Sequence, residues 1–238
     1  MAQSKMAQSS DSKILRFAKS ERMLHWAIAG PFLFSFATSL VLVLVYNPDH
    51  TRPFRALVSG CHRASGIALV VLPMLVTLKI RGDLRVHLYN IRQAWVWLLD
   101  DIKWLFLMGA AALSDRVQLP EQGKFNAAEK LNFMVLMVTY PLYVITGTLM
   151  WFRHFAIIAW ILHCFMALLA TPLILGHLYM ALINPGSRTG LQGMISGYVD
   201  RQWAKHHYRR WYREHHEHTE APEVAPPVEA EKAEAGGV

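Results

Sequence analysis

The sequence predicts an all-α integral membrane protein: a four-transmembrane-helix bundle with an interfacial helix and a polar C-terminal extension. Three observations predict it. The 238 residues are 53% hydrophobic and 17% charged, where a soluble domain carries about a quarter charged residues. His25–Tyr46, Leu131–Phe152 and Phe155–Ile183 contain no Asp, Glu, Lys or Arg, and a helix of about 18 or more such residues crosses a bilayer. A fourth block, Ala64–Leu78, reaches that length if Arg63 and Lys79 carry their charges to the interfaces on apolar stems.

The elements follow in order. Residues 1–24 are polar and mixed in charge, without a cleavable signal peptide, so helix 1 (about 25–46) reads as a signal-anchor. Helices 2, 3 and 4 are expected at about 62–80, 130–152 and 155–183. Lys and Arg number five in residues 1–22, three in 46–63, eight in 79–130, one at Arg153 and seven after Ile183. The positive-inside rule then puts both termini and the central loop in the cytoplasm, with a multi-pass domain over 25–183 in the membrane. Residues 94–113, "AWVWLLDDIKWLFLMGAAAL", are apolar too. Asp100, Asp101 and Lys103 would each cost several kcal/mol, about 3 on insertion scales, at a helix centre, so this stretch is expected to be an interfacial helix. A fifth span there would put the Arg-rich tail outside. Residues 184–218 read as a basic cytoplasmic helix near anionic headgroups, and 219–238, rich in Pro, Ala and Glu, as a disordered tail.

Cys61 and Cys164 are the only cysteines; two cannot form a four-cysteine metal site, and they read as small packing residues. Of twelve histidines, five fall between His206 and His218, and His50, His87 and His154 fall in loops or at boundaries. His25, His62, His163 and His177 remain inside the membrane blocks. His163 and His177 are fourteen residues apart, a rise of roughly 21 Å and an azimuthal offset of roughly 40° on one helix. Ionisable groups inside a membrane are costly to retain. With four spans the histidines sort by depth into two level pairs, His25 with His177 on the inner side and His62 with His163 on the outer. That is the arrangement two bis-histidine b haems require, with Gly30, Gly66, Gly147 and Gly176 leaving room for a flat macrocycle. A fifth span would swap the pairs. The alternative class is a haem-free anchor or transporter whose histidines form a proton or metal pathway.

"SERMLHW" (Ser20–Trp26), "CHRASG" (Cys61–Gly66), "KFNAAEKLNF" (Lys124–Phe133), "TGTLMW" (Thr146–Trp151) and the His163/His177 helix together resemble the cytochrome b (gamma) membrane subunits of respiratory formate dehydrogenases, over roughly Arg16 to Gly186. Cytochrome b subunits of hydrogenases and other molybdoenzymes share the plan. The resemblance implies two b haems on the same two histidine pairs. It implies an iron–sulfur (beta) partner, a molybdenum or tungsten catalytic (alpha) partner, and electron flow from outer haem to inner haem to a membrane quinone. It implies contact with lipid, none with nucleic acid, and is compatible with a higher-order oligomer. The resembling family's quinone stretch, Asn-x-Gly-Gln-Lys, corresponds here to Asn126, Ala127, Ala128, Glu129 and Lys130. Asn126 matches; Ala128 tightens backbone access, and Glu129 adds a titratable group that could relay a proton, cap helix 3 or pair with Lys130.

Overall fold

The computed structural model describes residues 12–47, 49–114 and 116–217; the expected disordered tail, 219–238, lies outside the described residues. A short strand, β1 (Lys13–Leu15), precedes α1 (Lys19–Val41), which a wide π turn prolongs over Leu42–Tyr46. Next come α2 (Arg55–Lys79), α3 (Leu84–Trp95) and α4 (Leu99–Leu113). α5 (Ala127–Trp151) and α6 (Ala156–Leu178) follow, the latter prolonged by a second π turn, Tyr179–Ile183. The chain closes with α7 (Thr189–Ser196), β2 (Tyr198–Asp200), α8 (Arg201–His207) and α9 (Arg209–His216).

Four of these helices, spanning 28, 25, 25 and 28 residues with their π turns, are long and apolar enough to cross a membrane. An even number of crossings brings both described ends of the chain to one side, called here the termini side, and the α1–α2 and α5–α6 connections to the far side. α1 packs along α2 and α5 along α6, while the two hairpins touch each other sparingly. The α5–α6 turn is tight, with Arg153 and Phe155 at φ 58° and 48°. Each spanning helix contains one proline: Pro31, Pro73, Pro141 and Pro172. A helical proline removes the hydrogen bond to the carbonyl four residues back, and that carbonyl needs another donor in hydrocarbon. For Pro73 it is Leu69, whose oxygen accepts from the Tyr140 hydroxyl at 2.6 Å, a polar bridge between the hairpins.

The structure corrects several boundaries. α1 starts at Lys19, not near 25, because Glu21 at its third position accepts from the Ala18 amide at 2.6 Å and caps the helix. α2 starts at Arg55, not near 62, and Arg63 meets the face of Trp151 at 5.7 Å across the far side. The helix expected over 94–113 is broken at Val96–Leu98. Asp101 accepts from the Leu98 amide at 2.8 Å and starts α4 there, so Asp100, Asp101 and Lys103 fall in its first turns. At 15 residues α4 is shorter than the about 20 needed to span. The basic helix expected over 184–218 is instead α7, β2, α8 and α9. β2 pairs antiparallel with β1, Ile14 opposite Val199, and Ile14, Val199, Ala204, Tyr208, Trp211 and Tyr212 form a small buried core.

Gly197 makes that turn-back. It sits at φ 95° after α7, and its carbonyl accepts from the Arg16 and Phe17 amides at 2.8 and 3.1 Å. A Cβ there would stand 2.9 Å from the Phe17 carbonyl oxygen. Gly197→Ala is therefore expected to destabilise the termini-side cap by about 1–3 kcal/mol, seen as faster proteolytic clipping within 198–217. Clipping at the wild-type rate would contradict this.

Candidate functional site

His62 and His163 each stand seven positions after the first residue of their helix, Arg55 and Ala156, both on the far side. Their ring centres are 6.3 Å apart with planes at 78°. The Nδ1 of each ring is engaged within its own hairpin. His62 Nδ1 lies 3.1 Å from the Ser35 carbonyl and 3.0 Å from Thr38 Oγ1 on α1. A carbonyl only accepts, so Nδ1 carries the proton. Thr38 is free to accept as well, because its own proton goes to the carbonyls of Phe34 and Ser35, both 2.9 Å away. His163 Nδ1 lies 2.8 Å from Thr146 Oγ1 on α5, whose proton goes to the Leu142 carbonyl. Both rings thus keep the Nε2 lone pair as their unprotonated nitrogen.

A metal ion between two such nitrogens tests the fit. Metal–imidazole bonds of about 2 Å, with about 1 Å from each nitrogen to its ring centre, put the two centres about 6 Å apart. The observed 6.3 Å agrees. Space is open at both ends: near the far-side pair a Cβ on Gly66 would meet nothing within 4 Å and one on Gly147 only His163, at 3.7 Å, and toward the termini side a Cβ on Gly30 or Gly176 would meet nothing within 4 Å. Gly30 also lines a groove of about 370 Å³ between α1 and α2, with Pro31, Phe34, Cys61, Ala64, Ser65 and Ala68. Cys61 and Cys164 are free thiols.

His25 and His177 lie on the termini side. His25 is six positions after Lys19 and His177 six before Ile183, so each lies under two turns from the termini-side end of its spanning helix. Neither ring makes a hydrogen bond among the described residues; His25 meets the edge of Trp26 at 5.1 Å. The structure therefore brings the His62 and His163 rings together, and places His25 and His177 at a common level near the termini side.

Asn126 and Glu129 lie at the start of α5, where they form a reciprocal cap: Glu129 N donates to Asn126 Oδ1 at 2.9 Å, and Asn126 N to Glu129 Oε2 at 2.8 Å. Ala128 sits half-buried between them. Glu129 does not pair with Lys130; its other oxygen accepts from the Tyr208 hydroxyl at 2.7 Å. Lys130 instead donates to Asp101 at 2.8 Å and to the Val96 carbonyl at 2.9 Å, with Asp101 fully buried. Lys124 and Glu21 form a second buried pair at 2.6 Å. Glu21 is one turn before His25 and Lys124 two residues before Asn126, so this pair holds the start of α5 beside the His25 end of α1.

Reading the sequence by residue type missed these partners. Thr146 stands next to Gly147 in the sequence, with nothing there to mark it as the partner of His163. Tyr208 lay in a tail read as lipid-facing, yet it is buried, its ring 3.5 Å from the Arg16 guanidinium. Burial and the Glu129 carboxylate push its hydroxyl well above the ordinary tyrosine pKa. Burial holds the Lys124 ammonium below its ordinary value, opposed by the hydrogen bond it donates to the Glu21 carboxylate. Burial likewise lowers His207, beside Tyr208 in the same cap.

Fold and site define a multi-pass membrane bundle whose two helical hairpins face histidines toward each other at two depths. The chain belongs to the prokaryotic cytochrome b561 family, whose sequence profile matches residues 16–197. It is similar to the cytochrome b556 subunit of formate dehydrogenase from Haemophilus influenzae, with 28% identity over 89% of this chain and 87% of the relative. It is also similar to two subunits of Escherichia coli K12. The nitrate-inducible formate dehydrogenase cytochrome b556(Fdn) subunit is 29% identical over 87% of this chain and 93% of the relative. The formate dehydrogenase cytochrome b556(fdo) subunit is 25% identical over 87% and 95%. Membership in a cytochrome b family implies haem b as cofactor and electron transfer as the task.

The Asp101–Lys130 pair makes a stability prediction for this end of the bundle. Asp101→Ala leaves a buried ammonium unpaired and should cost about 3–5 kcal/mol, whereas Asp101→Leu with Lys130→Met should recover most of it. Thermal unfolding of the detergent-solubilised protein, followed by circular dichroism, checks both; a single variant that melts like wild type would contradict the account.

Proposed function

We propose that this chain is the cytochrome b membrane subunit of a formate dehydrogenase complex, carrying electrons through two haems b to a membrane quinone. The observation that carries this reading is the far-side pair: His62 and His163 with both Nδ1 atoms engaged and ring centres at a bis-imidazole distance. His25 and His177 serve the second haem. Haem b, when bound, supplies a one-electron carrier at each end of the bundle. His163 and His177 come from one helix, so α6 sets the distance between the two ends.

The direction follows from charge. Among the described residues, four Lys and Arg lie in residues 46–63 and at Arg153, and eighteen elsewhere, on the termini side. The termini side therefore faces the cytoplasm, and electrons enter at the far side from an iron–sulfur partner fed by a molybdenum or tungsten catalytic subunit. The relatives' names support formate as the origin of those electrons. The quinone site lies on the termini side, bounded by His25, His177 and the first turn of α5 with Asn126, Ala128 and Glu129. The Glu21–Lys124 pair supports this placement by tying that turn to the His25 end of α1. Reduction of a quinone there takes up two electrons and two protons from the cytoplasm, so formate oxidation on the opposite side contributes to a proton-motive force.

His62→Ala should remove one haem and leave the other, seen as loss of about half the b-type absorbance in a reduced-minus-oxidised spectrum of the purified protein. Retention of both haems would break the proposed pairing.

A further inference from the structure

We propose that Thr146 and Thr38 are positioning residues that set the reduction potential of the far-side haem below that of the termini-side haem. The proposal rests on the reading above and concerns hydrogen bonds that only one pair makes. Thr146 Oγ1 is the sole acceptor for His163 Nδ1 among the described residues, at 2.8 Å. Thr38 Oγ1 shares His62 Nδ1 with the Ser35 carbonyl, at 3.0 and 3.1 Å. Both hydroxyls are locked by back-bonds to their own helices, Thr38 to Phe34 and Ser35, Thr146 to Leu142. They therefore present lone pairs, not protons, to the imidazoles.

An acceptor on Nδ1–H draws that proton outward and makes Nε2 a stronger donor to iron. A stronger donor favours the ferric form and lowers the potential, since hydrogen bonding around axial ligands is one of the protein's main levers on it. Both far-side rings have this support, and neither His25 nor His177 has it among the described residues. The asymmetry makes transfer from the far side to the termini side downhill. It also fixes geometry: α1 holds the ring of α2, and α5 holds the ring of α6, so each hairpin presents one preset imidazole.

A redox titration of the full-length protein, with each b-type component followed by absorbance, tests this. The component that His62→Ala removes is the far-side one. Thr146→Val should retain both haems and raise the midpoint of that component alone, and Thr146→Ser should restore the wild-type value. Thr38→Val should move the same component in the same direction by a smaller step, because Ser35 still accepts. Unchanged midpoints in Thr146→Val, or equal shifts of both components, would overturn the proposal. Should Thr146→Val lose the far-side haem, Thr38→Val decides: a wild-type midpoint there overturns it. Wild-type protein without b-type bands would overturn the haem reading itself.

Discussion

Four imidazoles inside apolar helices set the constraint around which this bundle is organised. A histidine in hydrocarbon has two ring nitrogens to satisfy, and an unsatisfied polar group there costs several kcal/mol, of order 2–7 by transfer scales. On the far side the protein meets one nitrogen of each ring with Ser35, Thr38 and Thr146. On the proposed reading the second nitrogen of each would hold a shared haem iron, and the separation of the rings suits one. On that reading sparse contact between the hairpins is a requirement of the site, since close packing along the whole interface would remove the space two haems would need. The Tyr140 bridge to the Leu69 carbonyl shows how the hairpins are joined without filling that space.

The termini side solves a different problem. Here the helices end in water-accessible structure, and a polar cap ties them together. Glu21 and Lys124 join α1 to the segment before α5, Asp101 and Lys130 join α4 to α5, and Tyr208 joins the folded tail to Glu129. Buried ion pairs of this kind add little net stability, yet removing one partner is costly. Their effect is to fix which helix start lies beside which. On the proposed reading that register matters, because it sets the His25 end of α1 against the turn that bounds the quinone. The tail is part of this cap, since Arg16 packs against Tyr208 and Trp211 and also donates to the Lys124 carbonyl at 2.7 Å.

The spanning helices were legible because runs without charge are long-range signals that no local detail overrides. The four intramembrane histidines stood out for the same reason, as polar atoms where polar atoms are expensive. Helix starts were less legible. Glu21 falls within residues 1–24, whose polar and mixed charge hides a helix start, and as a cap it begins α1 six residues before the apolar run. Asp101 looked too costly to bury until Lys130, 29 positions on, supplied its partner. Arginine and histidine after Ile183 suggested a solvated or lipid-facing helix, whereas the short strand at Ile14 and the turn at Gly197 fold that tail back onto the chain. Thr38 and Thr146 were invisible as functional residues because a membrane threonine ordinarily bonds to its own helix. Both do that, and the additional contact with an imidazole exists only once two helices are side by side.

The central claim is that the two histidine pairs each hold one haem b. The most direct measurement is the haem content of the purified protein, by pyridine haemochrome against polypeptide mass, with the ferric spin state read by electron paramagnetic resonance. The account predicts two haems b per chain, both low-spin as two imidazole ligands require. One haem per chain, none, or a stoichiometric high-spin signal from an iron with a single histidine would contradict it.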